Sequence, residues 1–103
     1  EISNLDGIPG KVITRHLGLV QGSTVRSKHV GKDIFAGLKN IVGGELKAYT
    51  ELLNESRAEA TERMLAQARA VGANAVVNVR FATSNIASGA AEVMAYGTAV
   101  VVQ

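Results

Sequence analysis

The chain has 103 residues, which points to a single domain with a modest core. Hydrophobic residues make up 47% of it but aromatic ones only 4%, so the interior must be built from Val, Ile, Leu and Ala. A formal charge of +2 is too weak to argue for nucleic acid, and the absence of cysteine excludes disulfides, thiolate catalysis and Cys-based zinc sites.

No apolar run reaches the roughly 18 residues that a membrane helix needs. No signal peptide is visible, and the cysteine-free composition suits a reducing compartment, so a cytoplasmic location is expected. The chain begins at Glu1 rather than Met, which leaves a trimmed leader open.

Residues 1–10 are polar, with turn signals at Asp6-Gly7 and Pro9-Gly10. Ile2, Leu5 and Ile8 are placed to form a short edge strand or simply to dock. Lys11 to Gln21 is rich in β-branched and aliphatic residues and reads as a strand. His16 within it is a base or ligand only with partners that the sequence does not identify, so a half-buried, satisfied imidazole outranks both. A second short strand is expected from Val25 to Val30, which puts the strands of this region within 11–30. Arg26, Lys28, His29 and Lys32 form a basic cluster without interleaved aromatics, so a solvated face or an acidic subunit contact outranks a polyanion site.

Residues 33–42, DIFAGLKNIV, carry apolar residues at i, i+1, i+4, i+7 and i+8, the pattern of a short amphipathic helix with Asp33 at its N-terminal end. Gly43-Gly44 then reads as a tight hinge. Glycines ahead of a helix can form an anion nest, but Glu45 follows at once and would repel a phosphate.

Residues 45–71 read as one long helix. Leu46, Tyr49, Leu53, Ala60, Met64, Ala68 and Val71 recur at steps of three, four or seven and fall in one stripe. Glu59 and Arg63 sit at the favourable i, i+4 spacing, and Gly72 suits the left-handed position that ends a helix. At 1.5 Å per residue this helix is about 40 Å long, more than so small a domain needs to cover its own sheet. Arg57 projects from the middle of the stripe, four residues after Leu53 and three before Ala60. A structural salt bridge, with Asp33 as first candidate partner, outranks an anion-ligand role or snorkelling for this guanidinium.

Residues 75–82 give a clean alternation, with Ala75, Val77, Val79 and Phe81 expected to face the helix and Asn78 and Arg80 outward. Thr83 to Gly89 reads as a polar loop. The last strand, 91–102, is apolar on both faces: Met94, Tyr96, Val100 and Val102 on one, Val93, Ala95, Ala99 and Val101 on the other. With helices on one face only, the second needs another cover, and a neighbouring subunit is the simplest.

DIFAGLKNIVGGELKAY, Arg57, ARAVGANAVVNVRF and the closing YGTAVVV together closely resemble the YbjQ-like family, also called UPF0145 or DUF74. The resemblance covers the chain from about Gly10. It implies an α+β fold: a two-layer, dodecin-like β-α-β-β subunit with the long helix packed on a small sheet. It also implies a ring-shaped homopentamer. Asp33, Gly43, Gly44, Tyr49 and Arg57 match the family pattern and are the ligand or interface candidates. After Gly43-Gly44 the family usually has Arg-Ser-Gly, whereas Glu45, Leu46 and Lys47 stand here, a reversal of charge that disfavours an anion site at this loop.

The family is labelled heavy-metal-binding, yet the sequence offers two histidines and no HxxxH, HxxE or carboxylate cluster at ligand spacing. The leading expectation is therefore a non-enzymatic, homo-oligomeric binding or scaffold module with small-ligand or partner sites where subunits meet. The alternative is a heavy-metal binder that pools ligands such as His16, His29 and carboxylates across subunits. An enzyme ranks lowest: there is no GxSxG, no nucleophile–base pair and no close pair of acids with a reason to differ in pKa. Neither a cofactor nor a particular metal is indicated, and membrane or nucleic-acid partners are not expected.

Overall fold

Among the described residues four elements follow in chain order: β1 (Ile13–Ser27), α1 (Gly44–Ala70), β2 (Ala75–Ala87) and β3 (Ala90–Val102). The computed structural model describes residues 1–27, 44–87 and 90–103, with side chains placed for 1–25, 50–51, 53–84 and 92–103. The short helix expected at 33–42 lies outside the described residues. The strands form one antiparallel sheet in the order β1-β3-β2, so the last strand is central and both earlier strands pair with it. The result is the expected β-α-β-β order in a small α+β fold.

Position 97 explains much of the central strand. A Cβ at Gly97 would stand 2.7 Å from the Val76 side chain and 2.9 Å from the Val77 carbonyl, so only glycine fits. The register beside it slips between Val77 and Arg80, where Asn78 takes a left-handed φ of 54°. This is a β-bulge, which inserts a residue and resets the alternation of faces. Val76 and Val79 therefore join the helix-side core, whereas Ala75 and Val77 belong to the opposite cluster with Val100 and Val102. The expectation that Ala75, Val77, Val79 and Phe81 share one face is corrected by this bulge. Phe81 stays on the helix side, opposite Ala95, but is 49% exposed because α1 lies over β1 and β3 rather than β2.

The helix seats on β1 through small residues. Gly22 lies under the backbone of α1: a Cβ there would collide with Met64 N and Ala60 O and stand 2.7 Å from the Arg63 carbonyl carbon. Val20 joins Ala60, Met64 and Ala68 in the core on this side. Farther along, buried Thr24 meets the Ser56 carbonyl at 3.5 Å, a long contact. Two helix side chains also cover the outer edge of β1. Gln67 Oε1 accepts from Gln21 N at 2.7 Å, and Arg63 Nη1 donates to the Ser23 carbonyl at 2.5 Å. An edge strand presents unpaired backbone groups that invite pairing with another chain, and side chains laid across it blunt that tendency.

Several boundaries differ from the sequence reading. The two short strands expected within 11–30 are one 15-residue strand, bent by register shifts at Ile13/Arg15 and His16/Gly18. The polar loop expected at 83–89 is largely strand: Thr83, Ser84 and Asn85 pair with Val93, Glu92 and Ala91. Cross-strand pairing has overridden local propensity there. The strands are also long enough to match the helix. Thirteen to fifteen residues span about 43–50 Å, against about 40 Å for the 27 residues of α1, so helix length alone does not call for a neighbour.

The helix ends as its glycine suggested. Gly72 has φ 89°, Gly72 N donates to the Arg69 carbonyl at 3.1 Å and Ala73 N to the Ala68 carbonyl at 3.0 Å. Asn74 then acts as a false strand residue. Its Nδ2 donates to the Val102 carbonyl at 2.9 Å and its Oδ1 accepts from Val102 N at 2.8 Å, just ahead of the β2–β3 ladder. At the other edge of the sheet, residues 1–5 run along β2. Ile2 bridges Val76 in parallel, Val76 N donates to the Glu1 carbonyl and Val79 N to the Ser3 carbonyl. Ile8 packs on the second cluster, so the N-terminal apolar residues both bridge and dock.

Candidate functional site

Directly opposed residues of an antiparallel pair share a face, so the register assigns every strand side chain to one side of the sheet. The side away from α1 falls into two zones. Near the N-terminal segment it is closed, with Ala75, Val77, Val100 and Val102 buried under Ile8 and Ile13. Farther along it is open. Leu19 lies opposite Thr98, Gln21 opposite Tyr96, Ser23 opposite Met94 and Val25 opposite Glu92. Leu19 is 70% exposed and Val25 53%, while Met94 and Tyr96 are half-buried. From β2, Arg80 stands beside Tyr96 and Ala82 beside Met94. The last strand is thus apolar on both faces, as its sequence indicated, and this back face keeps an apolar strip in contact with water.

Arg57 is placed differently from the sequence reading. The row of α1 that meets the sheet is Ser56, Ala60, Met64 and Ala68, a strict four-residue step. Arg57 stands beside that row, exposed, and among the described residues its Nη1 donates to Asn54 Oδ1, at 3.2 Å. The buried guanidinium is therefore corrected within one chain. The physical cause is the close seat on Gly22, which pulls the small residues inward and turns position 57 to the flank. Val71, assigned to the same stripe, is 47% exposed beyond the helix end. Of the other candidates, Gly44 is the first residue of α1 and Tyr49 lies in its second turn. Asp33 and Gly43 lie outside the described residues, so no Asp33–Arg57 pairing is placed.

Two ion pairs lie along α1 among the described residues. Arg63 Nη2 reaches Glu59 Oε1 at 2.6 Å, the i, i+4 pair expected from the sequence, and Arg69 Nη2 reaches Glu62 Oε1 at 2.9 Å. Both pairs are exposed, and such pairs contribute at most about 1 kcal/mol. Near the N-terminus Lys11 Nζ lies 2.6 Å from Glu1 Oε1. The Lys11 hydrogen bond is the main reason that the Glu1 carboxyl is held below its ordinary value of 4.5.

A metal centre needs several donors converging on one point. Among the described residues no three His, Asp or Glu side chains converge in this way. His16, on the back face opposite Val100, is exposed, and His29 lies outside the described residues. The described donors of one chain therefore do not fit a resident metal ion. Among the described residues, no helix is long and apolar enough to cross a membrane.

Gly22, Asn74 and the exposed Leu19 escaped the sequence reading. An isolated glycine inside a strand pattern was the available signal for the first, and an Asn following a helix-ending Gly for the second.

Comparison with known proteins gives a consistent picture. A protein from Hahella chejuensis is 71% identical over 102 residues, covering 99% of this chain and 98% of its own. One from Acinetobacter baylyi is 68% identical over 96 residues, 93% of this chain and 89% of its own. One from Archaeoglobus fulgidus is 58% identical over 99 residues, 96% and 92% respectively. All three are named UPF0145 proteins. A crystallised DUF74-family protein from Pediococcus pentosaceus superposes with a TM-score of 0.64 at 15% identity, covering 100% of this chain and 97% of its own, which supports the fold alone. The model of the family described as "Putative heavy-metal-binding" matches residues 1–103. With that match and relatives this similar over nearly their whole length, the chain belongs to the UPF0145, or YbjQ-like, family.

Proposed function

We propose that this protein is a non-enzymatic, self-associating module, a cytoplasmic ring of identical copies that takes a ligand or partner where copies meet. The observation that carries the reading is the open half of the back face. Leu19, Val25, Met94 and Tyr96 form an apolar strip on two adjacent strands, and nothing among the described residues covers it. Covering such a strip with its counterpart on another copy removes it from water without a second gene product. A homopentamer is the ring size that the family resemblance implies, and Asp33, Gly43, Gly44, Tyr49 and Arg57 are the candidates for the contact regions. Arg57 is exposed and free of any carboxylate among the described residues, so it is available to a neighbouring copy.

The description of the family favours a second reading, heavy-metal binding with pooled ligands. His16 lies on the same back face as Leu19, so copies meeting there would bring several imidazoles toward one another. Native mass spectrometry of gently purified protein tests both readings together. A ring of copies without metal supports the first, and a ring retaining the mass of a metal ion supports the second. A monomer at micromolar concentration contradicts both.

A further inference from the structure

Where the N-terminal segment leaves the edge of β2, it frames an open hollow of about 840 Å³, within the size range of small-molecule sites. Its walls are mainly apolar: Ile2, Leu5, Pro9 and Phe81 line it together with Ser3 and Arg80. Ile2, Leu5 and Phe81 are 48%, 55% and 49% exposed, an unusual concentration of wet hydrocarbon on so small a domain.

Arg80 supplies the one charge in this lining. Its Nη1 donates to the Asn4 carbonyl at 2.8 Å and to the Val79 carbonyl at 3.0 Å, which fixes the plane of the guanidinium. Its Nε and Nη2 make no hydrogen bond to any described residue. Lys11, Arg63 and Arg69 each meet a carboxylate, but Arg80 meets none among the described residues. Asp6 follows Leu5 in the chain but does not line the hollow.

We propose that this hollow binds a small apolar carboxylic acid. The carboxylate takes the free edge of the Arg80 guanidinium, and the hydrocarbon or aryl body lies against Phe81, Ile2 and Leu5. A planar guanidinium fork matches a carboxylate in two-point geometry, and apolar walls strengthen that pairing by partial desolvation. An inorganic anion would leave the walls wet, and a neutral hydrocarbon would leave the guanidinium donors unanswered. All of the residues that line the hollow belong to one chain.

The test is a titration of ¹⁵N-labelled protein with 4-phenylbutyrate and, separately, with the neutral 4-phenylbutanol, followed by NMR. The acid is expected to give saturable shifts at Ile2–Leu5, Val79–Phe81 and the Arg80 Nε. The alcohol should bind about tenfold more weakly or worse, as loss of a charge-assisted hydrogen bond implies. Arg80→Gln should abolish the preference for the acid. Arg80→Lys keeps a charge near the Asn4 carbonyl but lacks the fork, so it should bind the acid more weakly with an otherwise unchanged spectrum. Acid and alcohol binding alike, shifts elsewhere, no saturation, or wild-type affinity in the Lys variant would each overturn the proposal. Particle size measured on the same samples separates this result from any change in assembly.

Discussion

Lys11 holds the Glu1 carboxyl below 4.5 by a hydrogen bond, and the direction of that shift fixes a pH dependence. A carboxyl whose folded value is depressed stabilises the fold above its unfolded value, and the contribution is lost as pH falls through the folded one. The pairing of residues 1 and 11 should therefore loosen on the acid side of 4.5. Carboxyl NMR should find the Glu1 midpoint below 4.5 in the wild type and higher than that in Lys11→Met. An unchanged midpoint in that variant would contradict the assignment. Arg57 makes the opposite point. Its spacing suggested a buried ion pair worth several kcal/mol, but an exposed guanidinium on a helix flank carries little. Arg57→Ala should change the unfolding free energy of the separate chain by less than about 0.5 kcal/mol. A loss of more than about 2 kcal/mol, with no change in assembly, would put the side chain back in an intramolecular pair. The sequence could not resolve this, because its 3.6-residue period places positions 56 and 57 only about 100° apart. The approach of β1, not the period, selected Ser56 for the seam.

Elements were more legible than their contacts. The long helix, its end at Gly72, the Glu59–Arg63 pair and the two-faced last strand are all present. The misreadings share one cause, since each depends on a partner strand. Thr83 to Asn85 looked like a loop until β3 offered them a ladder, and the bulge at Asn78 lies opposite Gly97 of the neighbouring strand, where a Cβ would not fit. Gly22 carries the strongest consequence at this scale. A methyl group there would meet helix backbone, which cannot rotate away as a side chain tip can. Gly22→Ala should cost about 1–3 kcal/mol or more, because it pushes α1 off β1 and disturbs the caps from Arg63 and Gln67. Thermal or urea unfolding reads this directly. A variant as stable as the wild type would show that the helix does not seat on this glycine.

At the scale of the whole molecule, one sheet has two different sides. The side under α1 is closed by Ala60, Met64 and Ala68, and half of the other is closed by the chain's own N-terminal segment. Around Leu19, Tyr96 and Met94, apolar surface remains that no described residue covers. Part of this was legible, because alternation on both faces of residues 91–102 already called for two covers. Which part of the second face the chain covers for itself was not legible. That depends on the strand order and on the docking of residues 1–8, which no local pattern encodes. The candidate residues before α1 stand apart from this account, since Asp33 and Gly43 lie outside the described residues. The proposed function therefore turns, at this scale, on the back face. The most direct test is sedimentation velocity on the wild type and on Leu19→Glu, whose charge would sit on a side chain already 70% exposed in one chain and so should leave the fold intact. The wild type should sediment as a multiple of the chain mass and the variant as a folded monomer or smaller species with a wild-type circular dichroism spectrum. A variant that assembles as the wild type does would contradict the assignment of the back face to contacts between copies.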